Sequence, residues 1–140
     1  MDAPAAATDV LLAVTTLAAA FACARRGDRP GKVAAAGLGI VGAAASLGVL
    51  RFLDVAVAEV PHMIAVKAAS FVGVPLVLLA WALPPRERPV WFAVGLGLVL
   101  LAVAAFGRPG EWAGLSHPTW FHLVFLPAMA LLGVGRARPA

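Results

Sequence analysis

Three histidines are the residues of this chain best suited to form a chemical site. They are His62, His117 and His122. Neutral imidazole is a good zinc ligand, and three protein ligands with one open position are typical of catalytic zinc. The three histidines are therefore candidate metal ligands. A carboxylate ligand could be added by one of three acids: Asp9, Asp54 or Glu59.

The spacing of the last two histidines limits how they could share a ligand. His117 and His122 are five residues apart, which places them about 140° apart around a continuous helix. Pro118 favours the first helical position, so His117 is expected in the cap, where its side chain can fold back. The alternative is that these polar side chains lie at the membrane interface, where water and lipid headgroups are accessible.

His122 also has an apolar setting that suits a cofactor. Trp120, Phe121 and Phe125 surround it in the sequence. A single histidine among aromatic side chains could serve as an axial ligand to a haem or a chlorophyll-type pigment, so His122 is a candidate cofactor-binding residue. The candidate cofactors are therefore zinc and such a pigment.

A second charged group lies around residue 51. Arg51 and Asp54 are three residues apart, a spacing that lets them meet on one helix face as a structural ion pair. With Glu59 and Lys67 they could instead line a substrate or proton pathway, because charges inside a membrane usually have a role.

The composition shows which elements must position these residues. The chain has 140 residues, of which 62% are hydrophobic and 13% charged. These fractions exclude a soluble globular domain, a disordered chain and a secreted disulfide scaffold. The single cysteine, Cys23, excludes an intrachain disulfide and a cysteine-rich metal site. The net charge of +4 comes from residues between apolar runs, so it indicates membrane topology and not nucleic-acid binding.

The apolar runs predict one transmembrane domain over residues 1–140. It is an all-α, polytopic helix bundle, because about 20 apolar residues are enough to cross the hydrocarbon core as a helix. Thr8 or Asp9 is expected to cap the first helix, and Pro75 and Pro127 are expected to kink or break the third and fifth. The five predicted spans cover residues 8–24, 33–55, 62–83, 89–107 and 118–135.

The positions of lysine and arginine predict the orientation. With five spans, one side of the membrane holds eight of them: Arg25, Arg26, Arg29, Lys32, Arg86, Arg88, Arg136 and Arg138. The other side holds three: Arg51, Lys67 and Arg108. The positive-inside rule therefore predicts an outer N-terminus and a cytoplasmic C-terminus. The abundance of arginine, alanine and glycine favours a bacterial origin, and hence the bacterial inner membrane.

Small residues in the second span predict close helix packing. Gly39 and Ala43 are four residues apart, as are Gly42 and Ser46. This spacing lets helix backbones approach each other closely. The contacting helix could belong to this chain or to another.

Three short segments resemble small bacterial relatives of the CREST membrane hydrolase superfamily, which includes alkaline ceramidases and adiponectin-type receptors. They are Thr8-Asp9-Val10-Leu11-Leu12, Ser46, and Ser116-His117-Pro118-Thr119-Trp120-Phe121-His122-Leu123. The resemblance implies a zinc site formed by a serine and histidine on the second span, an aspartate on the third and paired histidines on the last. In this chain Leu50 replaces the histidine of the second span, which implies a lost or rebuilt metal site.

The sequence favours a non-catalytic function. With 140 residues and short loops, the chain has little room for an enclosed substrate chamber. We expect an accessory or scaffolding subunit of a larger membrane complex, which could be a pigment- or haem-protein complex. Its partners are then the lipid bilayer and other transmembrane helices or subunits. The alternative is a zinc-dependent membrane hydrolase of the CREST type that acts on a lipid or an amide.

Overall fold

A computed structural model of the chain describes residues 2–83 and 89–137. Five helices in these ranges are long and apolar enough to cross a membrane, which confirms the predicted all-α bundle with five spans. The spans are Ala3–Arg26, Arg29–Phe52, Ala56–Ala82, Pro89–Phe106 and His117–Ala137.

Four spans are single helices and the third is segmented. The first two are α1 (Ala3–Arg25) and α2 (Arg29–Phe52). The third span combines a 3-10 turn (Ala56–Ala58), α3 (Glu59–Ala68), a π-helical segment (Ala69–Gly73) and α4 (Val74–Ala82). The last two are α5 (Pro89–Phe106) and α6 (His117–Ala137), joined through a short antiparallel pair, β1 (Glu111–Trp112) and β2 (Leu115–Ser116).

The first helix begins earlier than predicted, and the prediction that Thr8 or Asp9 caps it is wrong. The cap is Asp2, whose carboxylate accepts the N–H of Ala5 at 3.0 Å. The alanine-rich segment before Thr8 has high helix propensity, so the helix extends through it. Thr8 and Asp9 consequently lie inside α1 and are buried.

The second helix is capped by Asp28, whose carboxylate accepts the N–H of Gly31 at 2.7 Å and a guanidinium N–H of Arg26 at 2.8 Å. Partial burial acts to raise the pKa of Asp28, but the hydrogen bonds from Gly31 and Arg26 and the nearby positive charges outweigh it. The pKa of this carboxyl therefore lies below its usual value. The helix ends at Phe52, short of the predicted residue 55, and Asp54 follows with φ +62°.

The two prolines inside spans have different effects. Pro75 has no N–H to offer the carbonyl four residues earlier, and the π-helical segment ends two residues before it. Widening of the preceding turn is a common response to proline in membrane helices. By contrast, α6 continues past Pro127 to Ala137.

The helices are arranged side by side in an arc, and α1 is its middle member. One side of α1 packs along α2 and the other along α6, while the third span packs on α2 and α5 packs on α6. Glycines allow the close approaches: a Cβ at Gly42 would lie 2.9 Å from the Thr16 hydroxyl, and one at Gly133 would lie 2.7 Å from the Ala19 Cβ. The third span and α5 meet through Trp81 and Phe92, whose ring centroids are 5.9 Å apart.

Hydrogen bonds between spans define the two ends of the bundle. At the end that we call the histidine end, the Asp2 N–H donates to the Phe52 carbonyl at 2.9 Å and the Ser116 hydroxyl donates to Asp2 at 2.6 Å. At the opposite end, called the arginine end, Arg26 donates to the Arg136 carbonyl at 2.7 Å. Of the residues behind the orientation prediction, Arg86, Arg88 and Arg138 lie outside the described residues, and the orientation stays a prediction.

Candidate functional site

The most unusual feature of the bundle is a buried contact between an acid and a histidine. The Asp9 Oδ1 on α1 lies 3.3 Å from the His122 Nε2 on α6. The other ring nitrogen of His122, Nδ1, is 3.2 Å from the Thr8 hydroxyl. Both ring nitrogens of His122 therefore have a polar partner.

His62 on α3 completes the group, which we call the Asp9–His62–His122 cluster. Phe52 joins the two histidines, with ring centroids 6.0 Å from His62 and 6.1 Å from His122 in edge-on geometry. Gly48 makes room for the cluster, because a Cβ there would collide with the Asp9 carboxylate and lie 3.1 Å from the His62 ring.

Two polar atoms of the cluster have no hydrogen-bond partner among the described residues: Asp9 Oδ2 and His62 Nδ1. Asp9 is 1% exposed and His62 is 6% exposed. Buried polar groups in proteins are nearly always hydrogen-bonded, so such atoms require an explanation. Ionisable groups inside a membrane span mark functional sites by default.

The helical repeat explains how these side chains reach the interior. On α1, Asp9 shares the buried face with Leu12 and Thr16, at spacings of three and four residues. On α6, His122 precedes the buried Phe125 and Met129 by three and seven residues. Each polar residue is therefore the continuation of an apolar face that packs in the core.

A cleft of about 150 Å³ extends from the cluster between the third span and α5. Its floor is formed by buried residues, and exposed residues form its mouth. The floor includes Asp9, Leu12, Val41, Ala44, Ala45, His62, Val99 and Phe125. Val66, Ser70 and Val103 are exposed and form the mouth. The walls are otherwise almost entirely hydrocarbon.

His117 lies apart from this cleft. Its Nδ1 is 2.8 Å from the Arg108 carbonyl, and its ring packs edge-on against Phe106. Trp112 and Trp120 form the rest of this aromatic group, and the Trp120 indole donates to the Trp112 carbonyl at 2.7 Å. The turn between α5 and α6 thus holds His117 away from His62 and His122.

The structure does not bring the predicted metal ligands together. Across residues 2–83 and 89–137, no group of three or more His, Cys, Asp or Glu side chains is placed to hold a metal ion. His62 and His122 line one cleft, but His117 does not. Ser46, part of the resemblance to the CREST superfamily, is exposed on α2 and bonds its own helix at the Gly42 carbonyl.

The two residues of the predicted ion pair line a second hollow at the histidine end. Arg51 and Asp54 both line it, and its volume is about 460 Å³. The Arg51 guanidinium lies 5.3 Å from the centroid of the Phe52 ring. The pairing of Arg51 with Asp54 stays a prediction.

The four predicted packing residues point in two directions. Gly42 is buried against α1, whereas Ala43 and Ser46 are exposed on the outside of the bundle. A Cβ at Gly39 would have no atom within 4 Å. Small residues on α2 thus serve packing within the chain at Gly42 and leave an outward face at the other three positions.

Sequence reasoning missed the central parts of the site. The sequence suggested Asp9 as an extra metal ligand or a helix cap, and Thr8 as a helix cap. Phe52 and Gly48 carried no signal, because an apolar residue and a glycine are common in membrane helices. The adjacent Thr8 and Asp9 of the resemblance were the one available clue. No family model, curated protein or solved structure gives a significant match to this chain.

Proposed function

We propose that this protein is a non-catalytic accessory subunit that packs against a larger integral membrane protein. The observation that carries the proposal is the position of Lys67 on the outside of the third span. Ionisable side chains inside membrane spans usually face the bundle interior or pair with one another, because their exposure to lipid is costly.

The depth of Lys67 makes its exposure significant. It lies eleven residues after Ala56, where the span begins, which is about 16 Å along a helix and close to the middle of a 30 Å hydrocarbon core. Val60, Ile64 and Phe71 are exposed on the same helical stripe. An acidic side chain at that depth on a partner helix would neutralise Lys67, while the apolar stripe would pack against it.

The exposed stripe around Lys67 suits a helix of a different protein better than a second copy of this chain. Among the described acids, Asp9 is the one placed inside a span away from its ends, and it is buried. Glu59 is exposed on α3, but it lies eight residues from Lys67, or about 12 Å along the helix. Parallel copies would therefore place Glu59 and Lys67 at different depths.

Low burial in two spans supports the same proposal. Within the most apolar 18 residues of each span, only 17% are buried in the third and fourth spans, against 50% in the first. The bundle therefore has broad surfaces available for other helices. We further propose the bacterial inner membrane as the location, with the N-terminus outside, because eight lysine and arginine residues lie on the proposed cytoplasmic side.

The test compares complexes in native membranes after mild solubilisation. Wild-type protein should migrate in native gels in an assembly larger than its own monomer or homo-oligomer. Lys67→Leu should release it, whereas Lys67→Arg, which keeps the charge, should remain assembled. Light scattering of the purified protein gives its homo-oligomeric mass. Equal migration of wild type and Lys67→Leu would contradict the proposal.

The zinc hydrolase is the weaker alternative, because no described residues converge as its metal ligands. The contact of His122 with Thr8 and Asp9 joins two of the segments that resemble the CREST superfamily, and it supports kinship as a proposal. Elemental analysis separates the functions. Zinc bound in a fixed ratio by wild type and lost in His62→Ala, His122→Ala would favour the hydrolase.

A further inference from the structure

The cleft beside the Asp9–His62–His122 cluster combines two features that rarely occur together. Asp9 and His62 line its inner end, and each has one buried polar atom, Oδ2 and Nδ1, with no hydrogen-bond partner among the residues that the structure describes. Its mouth is formed by exposed residues on the flank of the bundle. That flank belongs to spans that face hydrocarbon, so the cleft opens sideways into the lipid.

We propose that this cleft binds a membrane-dissolved amphiphile whose polar head is a hydroxyl group. Such a ligand, a long-chain alcohol or an alkylated phenol, would place its hydroxyl between Asp9 and His62 and extend its apolar chain past Val103 into the lipid. The proposal is independent of the accessory role, because the Lys67 stripe does not line the cleft.

A hydroxyl head follows from what the two polar atoms need. A hydroxyl donates one hydrogen bond and accepts others, so a single group can satisfy a carboxylate oxygen and an imidazole nitrogen together. It does so whichever of the two partners carries a proton. A carbonyl head only accepts and could not satisfy an ionised Asp9, and an alkane would leave both atoms unsatisfied.

The apolar chain follows from the shape and depth of the cleft. Asp9 lies six residues after the start of α1, about 9 Å along the helix, so the polar end of the cleft is already inside the apolar part of the bundle. The rest of the floor, including Leu12, Val99 and Phe125, presents hydrocarbon. Water is the competing occupant, because 150 Å³ corresponds to about five molecules at liquid density.

The test uses the full chain in lipid nanodiscs with isotope-labelled histidine. The protein has three histidines, and His117 lies outside the cleft, so it serves as an internal reference for folding and for general membrane effects. Dodecanol and nonylphenol are titrated as the two hydroxyl probes, and dodecane is the matched probe without a head. NMR signals of the His62 ring report occupancy.

The proposal predicts a saturable shift of the His62 signals with at least one hydroxyl probe, none with dodecane and none at His117. Val103→Trp, which fills the mouth, should weaken the affinity about tenfold or more. Leu100→Trp, on the same helix and equally exposed but outside the cleft, should leave it unchanged.

Three results would overturn the proposal. Dodecane could shift His62 as much as the alcohols do, which would show that the cleft recognises hydrocarbon alone. His117 could shift in parallel, which would show a general membrane effect. His62 could remain unchanged with both hydroxyl probes, which would leave water as the occupant. Binding of only one probe supports the proposal and identifies the head as aliphatic or phenolic.

Discussion

At the scale of single residues, glycine decides whether the polar cluster can exist. A Cβ at Gly48 on α2 would collide with the Asp9 carboxylate and lie 3.1 Å from the His62 ring. Any larger residue would occupy the space of these two side chains. Asp9 cannot easily move away, because its other oxygen contacts His122.

We predict that Gly48→Ala lowers the free energy of unfolding by about 1–3 kcal/mol, the usual cost of overpacking a filled interior. The matched control is Gly39→Ala on the same helix, where a Cβ has open space. The control should be neutral or stabilising by up to about 1 kcal/mol, because alanine is the better helix former. Unfolding in mixed detergent micelles measures both changes, and equal effects would contradict the prediction.

Asp28 lies outside the spans, and its ionisation contributes to stability. Its pKa in the folded state lies below the usual value, so the unfolded chain binds the proton more tightly. The contribution is therefore fully present above the unfolded pKa of about 4, and it disappears as the pH falls through the lower folded pKa.

Asp28→Ala should lower the free energy of unfolding by about 1 kcal/mol at neutral pH through loss of the helix cap. Asp28→Ser should keep most of the cap but lose the pH dependence between pH 5 and pH 3 that comes from this group, a range set by the usual aspartate pKa of about 3.9. Unfolding of the three proteins across this range provides the measurement. A serine variant with the wild-type pH profile would show that Asp28 does not titrate as described.

At the scale of elements, the third span depends on a backbone contact with α2. A Cβ at Gly37 would lie 2.5 Å from the carbonyl oxygen of Gly73 and 2.9 Å from the backbone nitrogen of Val77. Gly73 ends the π-helical segment that precedes Pro75. The irregular part of the third span is therefore held directly against the backbone of α2.

Gly37→Ala should destabilise the protein by about 1–3 kcal/mol, because backbone atoms cannot move aside as a flexible side chain can. Gly97→Ala on α5, where a Cβ meets nothing within 4 Å, is the matched control. Crosslinking between cysteines placed on α2 and α4 should become less efficient in Gly37→Ala alone. Unchanged stability and crosslinking would show that the two backbones separate without cost.

At the scale of the whole molecule, the orientation prediction can be tested by cysteine labelling. The native Cys23 is fully buried, so it contributes little background. Glu111→Cys should react with a membrane-impermeant maleimide in intact cells, because it lies in the turn between α5 and α6 on the proposed outer side. Lys32→Cys should react only after the cells are permeabilised. The reverse pattern would invert the topology.

The prediction of the fold succeeded for reasons that are local in the sequence. Each span is an apolar run of sufficient length, so its existence follows from hydropathy alone. The predicted starts of the helices were less accurate, because several residues before an apolar run can cap or extend a helix. The first helix, for example, is capped by Asp2 and not by Thr8. Pro75 and Pro127 carried the same expectation of a kink or a break in the sequence, but a π-helical segment precedes Pro75, whereas α6 continues past Pro127.

The sequence by itself determined that this is a five-span membrane protein with few ionisable residues inside its spans. Hydropathy and charge are properties of a residue and its near neighbours, so they can be assessed along the chain. Only the tertiary structure decided that Asp9 meets His122, that His62 shares their cleft, and that His117 and Lys67 do not. These contacts depend on the rotation of each helix about its axis and on glycines that allow close approach. Both are set by packing between segments far apart in the sequence.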